Sequence, residues 1–217
     1  IQNVLKEPIL VVVDTSHIIK LIRHCLGDLK ILYTEDGDSI EWRYIEQLYN
    51  VQSEEHLHLG NKLRKNHILF QKLKLKVYLA TQVLSNSVAS AIEVCDKVLK
   101  YPQLLNSSAT CKFLQVFNKA FDLLDSRNSN PKSIKPGQIQ ENKKVWSTEF
   151  EVIRKYILQL QMVKPSREEP SSKKRKTDNR VVTGPRNRGF LGFLINLKSY
   201  ETLFNTYVED KKLLSFI

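Results

Sequence analysis

Ile9-Leu-Val-Val-Val-Asp14-Thr-Ser-His17-Ile-Ile-Lys20-Leu-Ile-Arg23 joins two patterns that do not belong to one element. Residues 9–13 form a short, mostly β-branched apolar run, the pattern of a buried strand. From residue 15 to 26 the period becomes helical, with Ile18, Ile19, Leu21, Ile22 and Leu26 inward, Lys20, Arg23 and His24 outward, and Gly27 as the expected end. Asp14 stands at the junction and has two readings. As an N-cap it accepts a backbone N–H and stabilises the helix by about 1 kcal/mol. As a metal ligand it sits at the carboxyl end of a strand, where open α/β sheets place their sites. Two-metal phosphoryl transfer gathers several such carboxylates around Mg²⁺. His17 either packs in the first helical turn or orients the carboxylate or a substrate phosphate.

The rest of the chain is predominantly helical in pattern. Asp36-Gly37 marks a turn, and a helix is expected from Ile40 through Leu48. Between Asn61 and Lys100 no Gly or Pro occurs. Leu69, Leu73, Val77, Ala80, Leu84, Val88, Ala91, Cys95 and Val98 step by three or four, predicting one buried stripe with a possible break at Ser85-Asn-Ser87. A further helix over 112–125 carries Phe113, Phe117, Phe121 and Leu124 on one side. Residues 126–145 read as a polar loop. Thr148-Glu-Phe-Glu151 is a capping-box pattern that predicts a helix start ahead of Phe150, Ile153, Ile157 and Leu160. Gly189-Phe-Leu-Gly-Phe193 opens a last helix towards Tyr207. No internal repeat or sustained heptad is present.

At 217 residues the chain can bury a sizeable core, and 41% apolar residues fit a globular protein. The longest apolar run, five residues, is too short for a membrane-spanning helix, so no membrane partner is expected. The only methionine is Met162, and a strand stands almost at Ile1, so the expectation is an internal fragment of a longer protein. Cys25, Cys95 and Cys111 are too few and scattered for a disulfide framework or a zinc ribbon, and buried thiols are expected. His56 and His58 read as surface or loop residues. Of the net charge of +11, +6 falls between Lys164 and Arg188, a segment too polar to pack. Its Lys173-Lys-Arg-Lys176 cluster fits a nuclear import signal, a contact to nucleic-acid phosphates, or a solvated linker. Gly184-Pro-Arg-Asn-Arg-Gly189-Phe190 has the glycine spacing of a phosphate-binding loop, but Phe190 stands where the lysine must be.

Asp14-x-x-His17-x-x-Lys20-x-x-Arg23 resembles the second-aspartate motif of P-element and THAP-domain transposases. The resemblance continues in order through Ile40-x-Trp42, Asn61-Lys62-Leu63 with His67, Lys76-Val77-x-Leu79-Ala80-x-Gln82-x-Leu84-Ser85-x-Ser87-Val88-Ala89, Asn118-x-x-Phe121-Asp122 and Gly189-Phe-Leu-Gly-Phe193. His24 departs from the family's usual Asn. The resemblance implies a mostly α chain with a small α/β part, a fragment of an RNase H-like fold interrupted by an all-helical GTP-binding insertion. The implied division is a partial catalytic domain over 1–50, the insertion over 51–164, a basic disordered linker over 165–188 and a return segment over 189–217. Asp14 would be the second of three catalytic acids and a Mg²⁺ ligand, with His17 beside it. The other two acids are expected outside residues 1–217, so this chain alone is expected to be inactive.

The same resemblance implies a bound GTP near Lys62, Lys76, Val77, Asn118, Phe121 and Asp122. Guanine offers N1–H and an amino group on one edge, and a carboxylate accepts from both. An aromatic face stacks on a base for roughly 1–3 kcal/mol, and lysines neutralise phosphates. Implied partners are transposon-end and target DNA and, in the intact protein, further copies of itself; the implied location is nuclear. The rival expectations are a domesticated transposon-derived protein without catalysis, and a basic helical module that binds nucleic acid nonspecifically.

Overall fold

The computed structural model describes residues 10–57, 59–125, 142–165 and 178–210. It is mostly helical with one small sheet. In chain order the elements are α1 (Thr15–Leu29), β1 (Ile31–Tyr33), β2 (Ser39–Glu41), α2 (Arg43–Glu54), α3 (Lys65–Ile68), a 3₁₀ turn (Phe70–Leu73), α4 (Val77–Val83), α5 (Asn86–Lys97), a 3₁₀ turn (Pro102–Leu104), α6 (Ser108–Leu124), α7 (Lys143–Gln159), α8 (Arg188–Phe204) and a π-helical turn (Asn205–Asp210).

The expected strand over 9–13 is not one across its described part, 10–13. Among the described residues no neighbouring strand supplies it with a ladder. Instead, Asn196 of α8 acts like a peptide group, accepting from the Val13 N–H and donating to the Val13 carbonyl, both at 2.7 Å. Ser199 Oγ donates to the Val11 carbonyl at 2.6 Å. Val11 and Val12 remain half exposed, so the run is not the buried core strand its composition suggests. A β-branched run favours extended backbone, but a strand also needs a partner for its amides.

The sheet that does form lies further along the chain, where the sequence pattern suggests a turn and a helix. β1 and β2 pair antiparallel, with Leu32 opposite Ile40 and both fully buried. The turn between them contains Gly37 at φ +89. Gln161 bridges to Tyr33 and Arg180 to Gln161, so two chain returns extend the hairpin edge. Ile40 therefore belongs to a strand, and α2 begins three residues later.

α1 is the central helix, packing on α8, α4 and α6. It runs through Gly27 to Leu29; the Lys30 N–H still reaches the Leu26 carbonyl, and the φ of +67 at Lys30 then turns the chain out of the helix. Gly27 is there for close approach: a Cβ would stand 2.5 Å from the Phe70 ring. Gly189 and Gly192 serve α8 likewise, admitting Leu21, Ile22 and Ile18 of α1 to the helix backbone. The glycines that superficially suggest a phosphate loop thus include one that is a helix-packing residue.

The predicted stripe from Leu69 to Val98 holds only between Ala80 and Cys95. Leu69 and Val98 are exposed, and the segment is broken into α3, the 3₁₀ turn, α4 and α5. Ser85 makes the last break by capping α5 through the Val88 N–H. α6 buries Phe113, Phe117 and Leu124 but only half-buries Phe121. Phe117 meets Phe113, Phe190 and Phe193 at centroid distances of 4.6, 5.9 and 5.5 Å, which joins α6 to α8. α7 starts five residues before the expected capping box; Thr148 lies inside it and donates to the Lys144 carbonyl. Of the expected linker, residues 166–177, with the Lys173–Lys176 cluster, lie outside the described residues, while 178–187 fold back and bury Val181. His58, residues 126–141 and residues 211–217 are also outside them.

Candidate functional site

Asp14 is exposed at the start of α1, and its Oδ1 accepts from the Ser16 N–H at 2.9 Å. This is the capping geometry of its first reading. His17 is exposed one turn on, its own N–H given to the Asp14 carbonyl. Among the described residues no group of three or more His, Cys, Asp or Glu side chains converges as a metal site.

The residues nominated for a nucleotide fall into three places. On α6, Asn118 Nδ2 donates to Asp122 Oδ2 at 2.8 Å, an i,i+4 pair along one helix face. Asn118 Oδ1 also receives the Asn86 N–H at 3.4 Å, a long bond that links α6 to the first turn of α5. Phe121 stands beside Asp122, half-buried against the core. An amide therefore orients the carboxylate next to a partly open aromatic ring. Lys76 and Val77 open α4, with Lys76 exposed and Val77 half-buried. α4 and α6 both pack on α1, which sets their relative positions. Lys62 is exposed between Asn61 and Leu63, two residues that line a cleft of about 530 Å³ together with Tyr49, Gln52, Arg64 and Lys65; Lys62 itself is not part of that lining. The structure brings Asn118, Phe121 and Asp122 together; Lys62 and Lys76 lie on separate segments.

His67, one of the motif residues, has a structural task. Its Nδ1 accepts the Arg64 N–H at 2.9 Å, so the proton is on Nε2 and is donated to Gln82 Oε1 at 2.9 Å. That bond pins α3 to α4. Arg23, which the helical pattern assigns to the outer face, is fully buried. The signal lies in the sequence: Ile19, Arg23 and Leu26 share one helical stripe. Its Nη2 donates to His24 Nε2 at 2.9 Å and to the Lys74 carbonyl at 3.3 Å. Burial pushes its pKa down to about 10. The three thiols are buried and free; burial pushes Cys25 up to about 12 and Cys111 to about 11, so neither is a ready nucleophile.

Residues 16–137 match the family model of the TNP-like GTP-binding insertion domain, a span that contains all six residues nominated for the nucleotide. The chain belongs to that family. It is homologous with P-element-type transposases. It is 29% identical to the human DNA transposase THAP9 over 206 residues, covering 91% of this chain and 20% of that protein. It is 34% identical to the Drosophila melanogaster transposable element P transposase over 126 residues, covering 58% of this chain and 16% of that protein. The fold matches a chain of the Drosophila P element transposase strand transfer complex with a TM-score of 0.72 at 24% identity, covering 94% of this chain and 42% of that one. The chain thus spans a fifth or less of the curated relatives' length.

Proposed function

We propose that this family member binds GTP on α6 and serves as the helical insertion, with flanking RNase H-like segments, of a P-element-like DNA transposase. The observation that carries the nucleotide reading is the Asn118–Asp122 pair beside the half-buried Phe121 ring. In it an oriented carboxylate meets the guanine N1–H and amino edge, a donor pair that adenine lacks. Phe121 stacks on the base, and Lys62, Lys76 and Val77 serve the phosphates and sugar. Bound GTP supplies charge and shape for organising a protein–DNA assembly; the chain's own residues bind it and need not cleave it.

The described residues do not by themselves fit Mg²⁺: Asp14 is a lone carboxylate whose Oδ1 already caps a helix. Asp14 is a metal ligand, with His17 beside it, only in company with further acids, so the described residues alone support no step of DNA cleavage. The RNase H-like setting is supported by the β-branched run ahead of Asp14, whose Val11 and Val12 are half exposed and lie in no ladder among the described residues. DNA as partner is supported by six exposed cations, Lys62, Arg64, Lys65, Lys72, Lys74 and Lys76, in a stretch from His56 to Ile92 without any carboxylate. A chain segment of that charge binds phosphate backbones with a steep salt dependence. Assembly from several copies and a nuclear location complete the proposal.

The test is thermal unfolding of the chain with GTP and with ATP. At a hundredfold excess over Kd, GTP stabilises by about 2.7 kcal/mol, roughly 5–10 °C for a chain of this size. Phe121→Ala and Asp122→Ala abolish that rise while keeping the helical spectrum. An equal rise with ATP, or a GTP rise retained in both variants, refutes the site.

A further inference from the structure

Residues 69–76 form a strap between α3 and α4, and Phe70 is its one buried residue; Leu69, Gln71, Lys72, Lys74, Leu75 and Lys76 are exposed. The strap is therefore held at few points, most of them on α1. The Phe70 ring fills the space left open by Gly27, edge-on to Trp42 at 5.3 Å and stacked on His24 at 5.6 Å. The Arg23 guanidinium lies over the same ring, 4.4 Å from its centroid, and Nη2 donates to the Lys74 carbonyl. Two residues further along the strap is Lys76, followed by Val77.

Arginine is a poor choice for this slot if packing is all that matters. The side chain is fully buried, and among the described residues its Nε and Nη1, like Trp42 Nε1, meet no acceptor. A methionine would fill similar volume with no charge to desolvate and no donor to satisfy. What methionine cannot do is stack a planar cation on Phe70 and at the same time hold the Lys74 carbonyl.

We propose that Arg23 is a positioning residue for the nucleotide: by clamping Phe70 and the Lys74 carbonyl to α1, it sets Lys76 and Val77 at the entrance to α4. The clamp also makes the strap the physical link between the nucleotide and the helix that begins at Asp14. This rests on the nucleotide reading above, and the wild-type titration tests that reading before any variant is made.

The experiment uses the full chain, with Arg23→Met and Arg23→Lys beside it. GTP affinity is read by calorimetry, and amide exchange over residues 69–76 by mass spectrometry. Arg23→Met weakens GTP at least tenfold and speeds strap exchange, and Arg23→Lys, which keeps the charge without the plane, recovers part of the affinity. An Arg23→Met chain that folds and binds GTP with unchanged affinity overturns the proposal, even if the strap loosens. Should Arg23→Met fail to fold, the wild-type Arg23 Nε–H signal in NMR decides: GTP displaces it if the clamp is coupled to the nucleotide, and an unmoved signal at saturation overturns the coupling. A wild-type chain that does not bind GTP brings down both readings.

Discussion

Replacing Gly192 with alanine probes the contact that joins α8 to α1. A Cβ at Gly192 would stand 2.4 Å from Ile18 Cγ2 and 3.3 Å from Ile18 Cβ. Carbon atoms rest at about 3.5–4 Å, so one of the two helices must give by roughly 1 Å. Ile18 cannot swing away, because it is fully buried and a β-branched residue has essentially one rotamer in a helix. Overpacking of this kind costs about 1–3 kcal/mol. Alanine recovers about 1 kcal/mol of helix propensity, leaving a net loss of about 0–2 kcal/mol. For a chain of this size that is a fall in Tm of up to roughly 8 °C. Urea and thermal unfolding followed by far-ultraviolet ellipticity measure it, with Ile18→Ala and the double variant completing a cycle. Ile18→Ala alone destabilises, but it removes the atom that alanine at 192 strikes, so the double variant is less destabilised than the sum. Costs that simply add would refute the close approach of α1 and α8.

Asp14→Ala loses the cap on α1 and about 1 kcal/mol, whereas Asp14→Ser keeps most of that stability, as denaturant midpoints would report; equal losses would show that capping is not what Asp14 contributes to the fold. Buried, high-pKa Cys25 and Cys111 resist iodoacetamide at pH 8 in the native chain and react on unfolding, which mass spectrometry can follow. His24 is pushed from 6.5 down to about 4, first by burial and then by the positive charges of Arg23 and Lys74. Between those values the unfolded chain takes up a proton that the folded chain refuses, so this contribution is complete above pH 6.5 and is lost as pH falls towards 4. His24→Gln, whose side-chain oxygen can still accept from Arg23, flattens that part of the stability profile.

Much of this protein was legible from local pattern. The helix after Asp14, the Phe113–Phe117–Leu124 face, the Ser85 break and the buried thiols follow from spacing, because helical period and caps are properties of neighbouring residues. The ordered motifs also pointed to the family, including the Asn118-x-x-Phe121-Asp122 cluster, where the i,i+4 spacing already places amide and carboxylate on one face. What local pattern could not settle was which groups satisfy one another across the chain. Residues 10–13 look like a strand, yet Asn196 and Ser199, more than 180 positions away, occupy their backbone groups in place of a ladder. Gly27 looks like a helix end until Phe70 arrives to fill the space above it. Arg23 looks like a surface charge until the strap folds over it, and its burial is decided by an aromatic ring and a carbonyl from residues 70 and 74. Periodicity assigns a face to each helix, but only packing decides what covers that face, and so whether a charge on it ends in water or in the core.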